Sequence, residues 1–230
     1  MEASLKPGIV AAPVSGTKPC MAAREANSSD PIPRFGDRRR MRVGLLGGSF
    51  NPAHDGHRLV AKLALRQLRL DQVWLLVSPG NPLKSVDGMA PLAWRLAAAA
   101  RIGDGRRVVA TGVEAALGTR YTDDTLRVLL RRFPRVRFVW IMGADILAEF
   151  PHWRRWMDIA RRLPFVVLPR PHYTNPALAG KAAYRLRAAR RPIREARLLP
   201  GAAPAWVFLP GRQTAVSATA IRQAAEGTVL

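Results

Sequence analysis

From Met41 onward, short apolar runs alternate with segments of helical period. Nearly continuous apolar stretches at 42–46, Val73–Val77, Arg107–Ala110, Val136–Met142, Phe165–Leu168 and Trp206–Leu209 predict strands. Between them, Gly56–Leu68, Pro91–Arg101, Thr122–Arg132, Trp153–Arg162, Pro176–Ala189 and Ser217–Ala225 predict helices. Pro91 suits a first helical turn, where its missing N–H is not needed. Strands that are apolar on both faces belong to a parallel sheet covered on both sides. The expected fold is therefore α/β, a Rossmann-like doubly wound parallel sheet with helices on both faces. Such sheets bind ligands outside the carboxyl ends of their strands.

Residues 1–40 lack this rhythm. They are rich in Pro, Ala, Gly and Ser and end in Arg38-Arg39-Arg40. This reads as a disordered basic tail in front of one domain at 41–230, and as a dispensable extension. A short apolar patch near the start is led by Glu2 and has no proper hydrophobic region, so no signal peptide is expected. No window holds the ~18 apolar residues of a membrane span.

Charge and cysteine narrow the classes. Lys+Arg 37 against Asp+Glu 16 leaves a formal charge of +21 over 230 residues. A polyanionic partner would use such charge: nucleic acid, a phosphorylated substrate or a membrane surface. The basic residues are spread along the chain, which also fits arginines that merely coat the outer face. A single cysteine, Cys20, excludes an intrachain disulfide framework and a thiolate zinc site. The balance fits a reducing cytoplasm.

The chemistry concentrates after the first strand, in Gly47-Gly48-Ser49-Phe50-Asn51-Pro52-Ala53-His54-Asp55-Gly56-His57. Glycines admit close backbone approach. A helix starting near Gly56 points its free N–H groups and positive dipole end at this loop, which makes it a phosphate site. His54 and His57 fall on one side of the helix entry and both can donate to phosphate oxygens. A metal pair would want a third ligand, and His152 and His172 have no such spacing. The loop is neither a dinucleotide G-x-G-x-x-G nor a Walker A motif.

This segment resembles the G-G-[ST]-F-[DN]-P-x-H-x-G-H signature of the nucleotidyltransferase superfamily. Val216-Ser217-Ala218-Thr219-Ala220-Ile221-Arg222 resembles its second signature, I-S-[SA]-T-x-[IV]-R. Three intermediate blocks resemble the bacterial nicotinate-nucleotide adenylyltransferases. They are Tyr121-Thr122-Asp123-Asp124-Thr125-Leu126, Gly143-Ala144-Asp145 followed by Phe150-Pro151-His152-Trp153, and Ser78-Pro79-Gly80-Asn81-Pro82-Leu83-Lys84. Together the resemblance covers about residues 42–226. Ala144 stands where that family often has a longer polar residue.

The resemblance implies transfer of the adenylyl group of ATP to nicotinate mononucleotide, giving nicotinate adenine dinucleotide and pyrophosphate. It implies that His54, His57 and Arg222 are catalytic. Gly47, Gly48, Ser49, Phe50, Gly143, Asp145, Ser217, Thr219 and Arg222 would bind ATP and its phosphates. Lys84, Tyr121, Thr122 and Trp153 would bind the mononucleotide, Trp153 by stacking on the pyridine. Mg²⁺ would enter with ATP, with few or no protein ligands. Each residue also has a plainer role open to it: Ser217 and Thr122 as helix caps, Lys84 as solvated, Asp145 as a turn residue, Trp153 as core. Nicotinamide mononucleotide and phosphopantetheine stay open as acceptors, and a homo-oligomer is possible.

A nucleic-acid-binding module is the reading of another class, resting on Arg38–Arg40 and on the seven basic residues of Lys181–Arg197. No helix-turn-helix, zinc-finger or RNA-binding aromatic signature accompanies them. The H-x-G-H loop is also similar to that of class I aminoacyl-tRNA synthetases, but a K-M-S-K-S motif is missing.

Overall fold

The computed structural model describes residues 30–80 and 88–211. Seven strands form one sheet: β1 (Arg42–Gly48), β2 (Gln72–Val77), β3 (Val108–Thr111), β4 (Arg137–Gly143), β5 (Phe165–Leu168), β6 (Arg190–Arg191) and β7 (Trp206–Phe208). All pairings are parallel, in the order β3-β2-β1-β4-β5-β7-β6. The chain runs outward from β1 to β3 and then returns to place β4 on the other side of β1. That reversal opens a crevice at the carboxyl ends of β1 and β4, the topological switch point of such sheets.

Eight helices surround the strands among the described residues: α1 (Asp55–Gln67), α2 (Leu92–Ile102), α3 (Val113–Leu117), α4 (Thr122–Arg132), α5 (Ala144–Glu149), α6 (Trp156–Arg162), α7 (Thr174–Ala179) and α8 (Lys181–Arg185). The strands are buried on both faces and feed two cores. In β4, Phe138, Trp140 and Met142 enter one core while Val139 and Ile141 enter the other. The first core lies under α3 to α8, where Leu126, Leu129, Leu147, Ile159 and Ala182 cover the sheet. The second lies under α1 and α2, which contribute Ala61, Ala64, Leu65 and Ala99.

All six expected strands are present, within a residue or two at their ends. Pro91 caps α2 from outside the helix, and Thr122 is the first helical residue of α4, preceded by Tyr121 at the cap position. The expected helix at Trp153–Arg162 begins only at Trp156, because Arg155 takes a left-handed backbone (φ 54°). The stretch Pro176–Ala189 is not one helix. Gly180 adopts an extended ψ of 175° and separates α7 from α8. The helix expected at Ser217–Ala225 lies outside the described residues.

Residues 30–40, read above as the end of an unfolded tail, lie against the domain, Asp30 at the end of β3 and residues 34–39 at the end of α4. Ile32 is buried in the first core. The Asp30 carboxylate accepts hydrogen bonds from Thr111 Oγ1 at 2.7 and 2.9 Å and from the Gly112 N–H at 2.7 Å. An Arg132 guanidinium N–H donates to the Arg34 carbonyl. Apolar content misled here, since one isoleucine and one carboxylate suffice to dock a short segment.

Candidate active site

The carboxyl ends of β1, β4 and β5 and the start of α1 meet at the crevice. At Gly47 a side chain is excluded by packing: a Cβ there would lie 2.8 Å from the Trp140 indole of the neighbouring strand. Gly48 ends β1, and the chain turns through Ser49 into Phe50, whose backbone is left-handed (φ 49°) and whose ring is fully buried. A bulky residue in that conformation carries strain and persists only where its surroundings hold it.

The helix entry fixes both histidines. His54 is the N-cap of α1, and its Nδ1 accepts the Gly56 N–H at 3.1 Å. Three residues on, His57 Nδ1 accepts the His54 N–H at 3.3 Å. This is a capping box built from two imidazoles instead of a hydroxyl and a carboxylate. A neutral imidazole that accepts at Nδ1 carries its proton on Nε2. The box therefore selects the Nε2–H tautomer in both rings, whose centroids are 3.9 Å apart.

Both rings stay neutral at physiological pH. Burial, then the neighbouring His54 and Arg170, push the His57 pKa down to about 3. Burial and Arg170 lower that of His54 as well. His54 Nε2 is buried and has no hydrogen-bond partner among the described residues. A buried N–H without an acceptor is costly, and a ligand oxygen would satisfy it. The Phe50 ring packs on His57 with centroids 4.8 Å apart, which holds the imidazole in place.

Across the crevice, Gly143 caps α5 and Asp145 stands in its first turn. The carboxylate folds back so closely that a Cβ at Gly143 would meet its Oδ1 at 2.3 Å. Asp145 Oδ2 lies 3.6 Å from Arg170 Nε, while Oδ1 is buried and has no hydrogen-bond partner among the described residues. The sequence reading missed Arg170. It follows the end of β5 within Pro169-Arg170-Pro171, and a cation directly after a parallel strand was the available signal.

The Tyr121 block and Trp153 are joined through Arg154. That guanidinium lies 4.7 Å from the Tyr121 ring centroid and pairs with Asp124 at 2.9 Å. Asp123, 1% exposed, gathers Arg162 at 2.8 Å, Arg127 at 2.9 Å and Arg155 at 3.6 Å. Trp153 is half-buried and meets Trp140 and Phe150 edge-on, at 6.0 and 5.4 Å between centroids. Trp140 thus touches both Gly47 and Trp153. The histidines stand on the helix that covers one face of the sheet, and Trp153 on the segment that covers the other.

Beneath this block, Thr125 Oγ1 lies 3.2 Å from Glu114 Oε1 and 2.8 Å from Thr119 Oγ1. Burial pushes the Glu114 carboxyl up to about 7. Neither Glu114, Asp123 nor the buried Arg95 was singled out from the sequence. Lys84, Ser217, Thr219 and Arg222 lie outside the described residues.

A doubly wound parallel sheet with a neutral histidine pair at its switch point has the form of a nucleotidyltransferase. The cytidylyltransferase-like family model matches residues 45–224. A probable nicotinate-nucleotide adenylyltransferase of Gluconacetobacter diazotrophicus is 57% identical over 195 residues, which is 84% of this chain and 91% of that one. One of Gluconobacter oxydans is 58% identical over 187 residues, 81% of this chain and 96% of its own. In fold, the chain is similar to a Plasmodium falciparum nicotinic acid mononucleotide adenylyltransferase complexed with NaAD. The TM-score is 0.59 at 15% identity, over 80% of this chain and 83% of that one. The chain belongs to the nicotinate-nucleotide adenylyltransferases within the cytidylyltransferase-like family.

Proposed function

We propose that this enzyme transfers the adenylyl group of ATP to nicotinate mononucleotide, releasing pyrophosphate. The observation that carries the chemistry is the imidazole capping box, which leaves a buried His54 Nε2–H without an acceptor among the described residues. A 5′-phosphate oxygen of the mononucleotide attacks the α-phosphorus of ATP in line. The new P–O bond forms as the bond from the α-phosphorus to the α,β-bridging oxygen breaks, and pyrophosphate leaves with the electron pair. The attacking oxygen is already anionic, so no base is required.

Catalysis is then positioning and charge stabilisation. The Nε2–H groups of His54 and His57 donate to the α-phosphate oxygens as charge builds on them. Neutral rings suit this role: they donate without giving the proton away, and their fixed tautomer needs no reorganisation. Arg170 adds the positive charge that already acts on both histidines. Asp145 Oδ1, buried without a hydrogen-bond partner among the described residues, suits a ribose hydroxyl. Tyr121, Thr122 and Trp153 form the mononucleotide side, with the Trp153 ring against the pyridine. Ser217, Thr219 and Arg222 would grip the β,γ-phosphates and Lys84 the mononucleotide or pyrophosphate.

Mg²⁺ would arrive on ATP. Among the described residues no three His, Cys, Asp or Glu side chains are grouped to hold an ion. When bound, the ion would neutralise phosphate charge. The test is product formation from ATP and nicotinate mononucleotide, followed as pyrophosphate release.

A further inference from the structure

Arg95 is fully buried in α2, at 1% exposure, in a helix otherwise rich in alanine. Its guanidinium spends its donors on carbonyl groups of three separate segments. Nη1 donates to Ser49 at 2.8 Å and to Ser78 at 2.6 Å, Nη2 to Pro79 at 3.2 Å, and Nε to Ala90 at 2.8 Å. Ser49 belongs to the turn after β1, Ser78 and Pro79 follow β2, and Ala90 precedes α2 itself. Only a planar fork with donors at fixed angles reaches all four oxygens at once; a lysine ammonium is a point donor. Burial depresses the Arg95 pKa. Carbonyl dipoles replace the water that this cation gives up.

The Ser49 carbonyl leads directly to the histidines. Phe50 follows it in the left-handed conformation, and its buried ring rests on His57, which in turn faces His54. A second link joins the same loop to the segment before α2. Asn51 Nδ2 donates to the Gly88 carbonyl at 3.2 Å, and the Ala90 N–H donates to Asn51 Oδ1 at 3.3 Å. The two segments thus stay connected when Arg95 alone is replaced.

We infer that Arg95 is a positioning residue for adenylyl transfer: by holding the Ser49 carbonyl it sets the Phe50 turn and so aims His57 at the α-phosphate. The inference rests on the proposed reaction for its kinetic arm and on the imidazole geometry alone for its spectroscopic arm. It differs from a packing role in one respect. Loss of Arg95 degrades the histidine pair in protein that is still folded.

The test compares Arg95→Ala and Arg95→Lys with the parent in the full chain. In the free protein, nitrogen-15 spectra of the imidazoles report which ring nitrogen carries the proton. Kinetics well below the melting temperature report kcat and both KM values. Arg95→Ala should lower kcat by roughly 10- to 100-fold, the loss that a misplacement of about 1 Å causes. KM for ATP and for the mononucleotide should each move less than about threefold. Millimolar guanidinium should restore much of kcat in Arg95→Ala, while ammonium and urea at equal concentration should not. The His57 resonances should lose the single Nε2–H pattern in both variants.

Unchanged kcat and imidazole spectra in folded variants would overturn the inference. So would an activity loss that merely tracks the folded fraction and ignores guanidinium. If Arg95→Ala does not fold, Arg95→Lys decides: a folded lysine variant with parental spectra and kcat refutes the proposal. If the parent itself makes no dinucleotide, the reaction assignment fails, and the spectra still judge the positioning claim.

Discussion

The docked segment ahead of β1 gives the sharpest stability prediction. Asp30→Ala removes one carboxylate that accepts from three donors: the Ile32 N–H at 2.9 Å, the Thr111 hydroxyl and the Gly112 N–H. Thr111 is 1% exposed, so its hydroxyl loses its acceptor where water does not easily replace it. A hydrogen bond to a charged group contributes ~1.5–3 kcal/mol, and a buried donor left unmet costs ~1–3 kcal/mol. The Ile32 N–H bond is a local one across two residues of the same segment and adds less. The sum is about 2–4 kcal/mol. For a domain of this size each kcal/mol shifts Tm by roughly 2–4 °C, so the variant should melt about 5–15 °C lower. Thermal unfolding followed by circular dichroism measures this. Ile32→Ala should lose ~2–5 kcal/mol by creating a cavity in the first core. Turnover of either variant at low temperature should stay near that of the parent, because neither residue touches the histidine pair. An Asp30→Ala protein that melts within a degree or two of the parent would refute the docking of this segment.

His57→Ala should lower kcat by roughly 10²-fold or more, as loss of one transition-state donor does, while KM for ATP moves far less; steady-state kinetics decide. Trp153→Ala should raise KM for the mononucleotide roughly 10-fold and leave KM for ATP nearly constant, with Trp153→Phe close to the parent; parallel losses for both substrates with early melting would assign Trp153 to the core alone. The His57 pKa is depressed to about 3 by folding, so the unfolded chain binds the extra proton first as acid is added, and stability should fall by about 1.4 kcal/mol per pH unit from about 6.5 toward 3. Glu114 is raised to about 7 and works in the opposite sense, removing stability as pH rises from about 4.5 to 7; Glu114→Gln should abolish that loss and melt above the parent at pH 8.

The strands were legible because a parallel sheet buried on both faces demands unbroken apolar runs, and Val73–Val77 or Phe165–Leu168 have no other use. What escaped was short or polar. β6 is the pair Arg190–Arg191 at a sheet edge, α3 and α5 are 5 and 6 residues long, and none of these carries a readable period. The break at Arg155 comes from a left-handed backbone that an arginine does not advertise. At the site, the histidine loop stood out because two of the four histidines share it with glycines at a strand end. Its capping box did not, since imidazoles seldom take that role. Arg95 was invisible for a plainer reason. In a chain with 37 basic residues, a single arginine among alanines reads as surface, and only the carbonyls converging on it in space reveal otherwise.

The central claim is the acceptor. Pyrophosphate release should be measured with ATP and each of nicotinate mononucleotide, nicotinamide mononucleotide and phosphopantetheine in parallel, on one preparation of the full chain. Nicotinate mononucleotide should give the highest kcat/KM, and His57→Ala should remove most of that signal. A clear preference for phosphopantetheine, or no pyrophosphate from any of the three, would contradict the account.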